Sequence, residues 1–164
     1  MEPFASGLLR NFAGLCLVLF VTAAALQAQN SPDVIHMKNF PVKFDKAYGA
    51  AIARVGEGRL HQVDATIVEL APGGKSEPHK HLAEESIYVV SGKGYTEMWL
   101  ENGAKKERFD WKEGDLLSPT INVWHQHFNV SPDAPARFFQ VKTSGLFRRV
   151  GLDKFLMQGR RNAD

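Results

Sequence analysis

The sequence of 164 residues predicts an all-β fold, a sandwich or barrel built from short strands. Two observations carry that expectation. From Pro72 onward, turn-forming clusters of Gly, Pro, Asn, Asp and Ser punctuate the chain roughly every eight to twelve residues. The runs between them are β-branched and aromatic, with no helical period and no internal repeat, so one barrel is expected rather than two.

The elements follow in order. Phe12 to Ala28 is an uncharged apolar run behind Arg10, short for a membrane span and ending in small residues. It reads as a secretory signal peptide over residues 1–28, cut after Ala25 or Ala28, which places the protein in a periplasmic or extracellular space. No stable membrane span is then left. Leu15 precedes Cys16, the only cysteine, which argues against lipid attachment there and leaves the mature chain without disulfides. Residues 29–58 are expected as an irregular N-terminal extension, with Ala47 to Glu57 a glycine-punctuated loop.

The barrel is expected over residues 59–143. Leu60 to Leu70 alternates in a β-rich run that stops at Pro72–Gly74. Ile87–Val90 is a strand ending at Ser91-Gly92-Lys93-Gly94, which reads as a tight hairpin turn, with Tyr95–Leu100 returning. Glu101-Asn102-Gly103 is a second hairpin signal before the strand Lys105–Trp111. A turn at Lys112–Asp115 leads through Leu116–Ser118 to Pro119. Val123–Val130 and Ala136–Thr143 are the last strands, separated by Ser131–Pro135. In the C-terminal segment, residues 144–164, Leu152–Gln158 is read as a short helix.

Within this frame one stretch concentrates chemistry. His79 and His81 are two apart and Glu85 follows four later, so in an extended segment all three point to one side. Two neutral nitrogens and a carboxylate suit a divalent transition metal such as manganese, iron, nickel or zinc. His125 and His127 form a second pair, again on one face of a strand. Only His36 and His61 lie outside these pairs.

The spacings resemble the cupin superfamily. Its first motif, G-x5-H-x-H-x3-E-x6-G, is matched at every interval by Gly73, His79, His81, Glu85 and Gly92. Its second, G-x5-P-x-G-x2-H-x3-N, is matched in part by Gly114, Pro119, His125 and Asn129. One residue is missing before Pro119, and no glycine lies between Pro119 and His125. The resemblance implies a small single-domain cupin, a double-stranded β-helix or jelly-roll barrel, with a divalent metal ligated by His79, His81, Glu85 and His125. Four protein ligands would leave positions open for a bidentate oxygen substrate. The interval to Asn129 favours His125 over His127 as the fourth ligand. His127 and Asn129 are then candidates for contacts just outside the ligands or to substrate.

The function implied is that of a metal-dependent enzyme of dioxygenase, decarboxylase or isomerase type on a small oxygen-rich molecule, with germin-like oligomers as one variant. The alternative from another class is a non-catalytic module that captures a small ligand or metal. A homodimer is compatible with either. No proton-transfer residue is singled out, since Glu77, Glu84 and Glu97 are not distinguished by spacing. The net charge of +2 predicts no nucleic-acid footprint, and the late basic cluster from Arg148 to Arg161 reads as a solvated face. There is no nucleophile elbow, phosphate-cradling loop or cysteine–histidine pair, so covalent nucleophilic catalysis is not favoured.

Overall fold

The computed structural model describes residues 34–101 and 105–160, the last four of these by their backbone alone. The expected signal peptide lies outside the described residues. Among the described residues, eleven strands and one helix follow in chain order. They are β1 (Lys43–Asp45), β2 (Ala50–Val55), β3 (Asp64–Leu70), β4 (His79–His81), β5 (Glu85–Ser91), β6 (Lys93–Trp99) and β7 (Glu107–Lys112). After them come β8 (Leu116–Leu117), β9 (Trp124–Asn129), β10 (Ala136–Lys142), α1 (Ser144–Arg149) and β11 (Met157–Arg160). The strands form two antiparallel sheets, a six-stranded one ordered β1-β2-β3-β10-β5-β8 and a five-stranded one ordered β11-β4-β9-β6-β7. Chain neighbours from β3 to β10 repeatedly lie in different sheets. This is the jelly-roll winding expected of the fold class.

The sheets meet through side chains on their inner faces. Val68, Leu70, Ile87, Val89 and Phe138 from the larger sheet surround Trp111 from the smaller, with Trp111 edge-on to Phe138 at 4.8 Å. Fully burying a side chain such as Phe138 contributes about 1.5–3 kcal/mol. The larger sheet is buried on its other face too. Ile35, Met37, Phe40 and Val42 cover Val55, Ala65 and Ile67. Arg137 fastens this cover, donating to the carbonyls of Met37 and Phe40 at 2.7 and 2.9 Å while pairing with Glu69. Two covered faces explain why β3 reads ATIV without strict alternation.

Three local expectations are corrected. Ala47–Glu57 is not all loop, because β2 pairs with both β1 and β3; its small alanines hid a strand that buries Ala50, Ile52 and Val55. Ser91–Gly94 is not a hairpin turn. β5 pairs with β10 and β8, while β6 pairs with β7 and β9, so the chain crosses between sheets at Gly92, where φ is +88°. The helix is Ser144–Arg149, upstream of the expected position, and Leu152–Gln158 instead holds a 3-10 turn at Asp153–Phe155 leading into β11. β11 pairs with β4 and ends that sheet. No helix among the described residues is long and apolar enough to cross a membrane.

Candidate metal centre

The two histidine pairs converge because β4 and β9 are neighbours, with His79 directly opposite His125 in the register. Side chains at alternate positions share a face, and this face is the barrel interior. His79, His81, His125 and His127 are each at most 5% exposed. The nitrogens of His79, His81 and His125 lie within 4.8 Å of one another, a grouping that could hold a metal ion. His127 falls outside that trio. It sits one pleat along, its ring 5.6 Å from that of His125 and edge-on to Phe138 at 5.4 Å.

Glu85 reaches the same place by another route. The chain bends after His81, and Glu85 opens β5 in the opposite sheet. The single extended segment read from the sequence is therefore two strands facing each other. Glu85 Oε2 lies 3.3 Å from His81 Nε2 and 3.6 Å from His125 Nε2. Glu84 is exposed, as opposite parity requires, and Glu97 pairs with Lys106 at 2.8 Å. Asn129, a candidate for substrate contact, is occupied otherwise. Its amide donates to the carbonyls of Ala71 and Ala134 at 2.9 and 2.8 Å, and its oxygen accepts from the Ser131 N–H. It braces the loops at one end of the barrel.

Backbone carbonyls set the orientation of the trio. His79 Nδ1 donates to Glu77 O at 2.8 Å, His81 Nδ1 to Ala83 O at 2.8 Å and His125 Nδ1 to Val123 O at 2.9 Å. A carbonyl only accepts, so each Nδ1 carries the proton and each Nε2 presents a lone pair inward. All three Nε2 atoms are buried without a hydrogen-bond partner. Buried acceptors left unmatched are costly, and a divalent cation satisfies three nitrogens and a carboxylate at once. Burial holds His79 well below the usual imidazole range and pushes His125 down to about 4, so both rings are neutral near pH 7 and ready to ligate. Burial also pushes His127 down, to about 3.

Two contributors were missed by the sequence reading. Lys142, on β10 directly opposite Glu85, places its Nζ 3.0 Å from Glu85 Oε1 and 3.3 Å from the Tyr48 hydroxyl. Burial would raise the carboxyl of Glu85, but the Lys142 ammonium beside it outweighs that and holds the group well below the usual carboxylate range. Burial likewise opposes the charge on Lys142, and Glu85 overcomes it, holding the ammonium above its ordinary value. A signal was present in the parity of β10. Gln140 and Lys142 share the inward face with Phe138, where polar side chains need partners.

A family model described as Cupin domain matches residues 66–142, which contain all four histidines, Glu85 and Lys142. Solved structures share the architecture. The oxalate decarboxylase of Lactobacillus farciminis, in a formate complex, aligns with a TM-score of 0.55 and 24% identity over 70% of this chain and 34% of that one. A recombinant oxalate oxidase in complex with glycolate aligns with a TM-score of 0.52 and 20% identity, over 69% of this chain and 62% of that one. The cupin domain of Schizosaccharomyces pombe Cnp3 aligns with a TM-score of 0.56 and 12% identity, over 73% and 81%. At such identities the likeness is one of fold. The chain spans about a third of the length of the decarboxylase. No curated protein matches the sequence significantly.

Proposed function

We infer that this chain is a metal-binding cupin, and we propose that it is a metal-dependent enzyme acting on a small oxygen-rich molecule, of dioxygenase, decarboxylase or isomerase type. The observation that carries the metal reading is the set of three buried, carbonyl-oriented imidazoles with unpartnered Nε2 atoms, two of which, on His81 and His125, face Glu85 Oε2. His79, His81, His125 and Glu85 would hold the ion. A bound divalent ion supplies Lewis acidity toward an oxygen ligand. The chain's own residues fix the ligand geometry and exclude water, and burial keeps His79 and His125 neutral. Lys142 balances the Glu85 charge and orients that carboxylate through its other oxygen. The oxalate decarboxylase and oxalate oxidase among the structural relatives favour small carboxylates as the first substrates to try.

A second reading has its own support. The four residues assigned to the ion are at most 5% exposed, an enclosure that also suits a metal held without turnover. The unprocessed N-terminus is proposed to direct export, which mass analysis of the mature protein would check. The deciding experiment loads the chain with manganese, iron, nickel or zinc and follows oxygen consumption and carbon dioxide release over a panel of small carboxylates, enediols and phenols. Turnover that disappears in His79→Ala together with bound metal is the expected result. Stoichiometric metal with no turnover on any substrate would favour the binding module, and no metal uptake would end both readings.

A further inference from the structure

His127 has the same residue type, burial and strand as His125, yet its surroundings give it the opposite hydrogen-bonding character. Its Nδ1 faces no carbonyl. It lies 2.8 Å from the hydroxyl of Thr96, directly opposite it on β6. That hydroxyl already accepts the indole N–H of Trp111 at 3.1 Å. An indole nitrogen can only donate, whereas a hydroxyl has one hydrogen to give and two lone pairs.

Thr96 is fully buried, and His127 Nδ1 is the one acceptor its hydroxyl meets among the described residues. Were Nδ1 protonated, two N–H groups would point at one oxygen, and the hydroxyl hydrogen would be left unpaired inside the barrel. An unmatched buried donor is costly. With Nδ1 accepting, the chain from Trp111 through Thr96 to His127 is satisfied at every step. The single proton of the neutral ring must then sit on Nε2, which is buried without a partner.

We propose that His127 is not a metal ligand but a ligand-positioning residue, presenting an Nε2–H that donates to an oxygen of a small carboxylate bound beside the His79, His81 and His125 trio. Its ring stands one imidazole back from the trio, 5.6 Å from His125 and 6.2 Å from His79, outside the 4.8 Å grouping. Four inward histidines thus divide by what their Nδ1 atoms touch. Three backbone carbonyls turn lone pairs inward for an ion, and one hydroxyl relay turns a proton inward for an anion. A carboxylate oxygen suits the place because it accepts N–H bonds without needing to donate.

The inference rests on reading the trio as a metal centre, and its test separates the two. In the full chain without metal, at neutral pH, long-range proton–nitrogen NMR of the imidazoles is expected to find His79, His81 and His125 protonated on Nδ1 and His127 on Nε2. Protonation of His127 on Nδ1 overturns the proposal whatever the metal does. With manganese bound, oxalate is the probe and calorimetry the readout. His127→Leu should leave manganese affinity within about threefold and weaken oxalate by about tenfold or more, the loss of a hydrogen bond to a charged acceptor. His127→Gln, which keeps an N–H near the same position, should retain oxalate binding. Manganese bound tenfold more weakly by His127→Leu, with oxalate unaffected, would make His127 a metal ligand and end the proposal. Failure of the unsubstituted chain to bind manganese would defeat the metal-centre reading, and the NMR assignment would still decide this one.

Discussion

At the scale of single residues, Lys142 and Glu85 are the pair with the largest consequence. The Glu85 side chain is fully buried, and the ammonium 3.0 Å from Oε1 is its counter-charge when no ion is bound. Removing one partner of such a pair leaves an uncompensated buried charge, which costs about 3–5 kcal/mol. Lys142→Met should therefore lower the unfolding free energy of the metal-free chain by about 3 kcal/mol in urea titration, and Glu85→Gln with Lys142→Met should recover most of it. Manganese should shrink the penalty of the single variant, because the ion supplies positive charge to the same carboxylate. Equal penalties with and without manganese would show that Lys142 and the ion do not share Glu85. His79, His81, Glu85 and His125 were legible in the sequence through their intervals. The parity of β10 puts Lys142 on the inward face, but its place opposite Glu85 depends on the register of β10 against β5, and no local spacing encodes that register.

At the scale of elements, the glycines after β5 show why the local reading went wrong. Gly92 and Gly94 bracket one residue, a pattern shared by tight hairpins and by the corners where a strand leaves one sheet for another. The structure decides for the corner. A Cβ on Gly92 would lie 2.8 Å from Ala136 Cα, and one on Gly94 would lie 1.9 Å from the Phe128 carbonyl oxygen and 2.5 Å from Trp111 Cη2. These contacts join the corner to both sheets. Gly114 has a similar positive φ of +91° but nothing within 4 Å of an added Cβ. Gly114→Ala should therefore cost about 1–2 kcal/mol, the backbone penalty alone. Gly94→Ala must push backbone apart and should cost about 3 kcal/mol or more. Comparable thermal midpoints for the two variants would mean that the corner is not tightly packed. The missed strand β2 has a related cause. Its alanines carry little strand signature alone and become a strand only by pairing with β3.

At the scale of the whole molecule, the all-β class and most strands were legible because turn chemistry and β-rich runs are local. Which strands share a sheet, and hence how His81 and Glu85 come to face one another from opposite sheets, was not. That assembly has a consequence for acid behaviour. Spacing alone suggests that metal leaves as pH falls through the ordinary imidazole range near 6.5. Burial changes this, since His125 is held at about 4 and His79 well below its usual value. For a group whose pKa is lower folded than unfolded, the unfolded chain takes up protons first as the pH drops. Stability contributed by the neutral rings is thus complete above about pH 6.5 and drains away as pH falls toward 4, at about 1.4 kcal/mol per pH unit for each ring. Glu85 adds a later loss. Its folded pKa lies well below 4.5, so its contribution holds above that value and fades beneath it. The metal-free chain should accordingly show a falling urea midpoint from pH 6.5 to 4. The manganese-loaded chain should keep its metal at pH 5.5 because the folded His79 and His125 rings do not yet take up protons there. Release centred on pH 6.5, followed by elemental analysis after desalting, would mean that the imidazoles titrate as solvated groups and that the barrel does not enclose them.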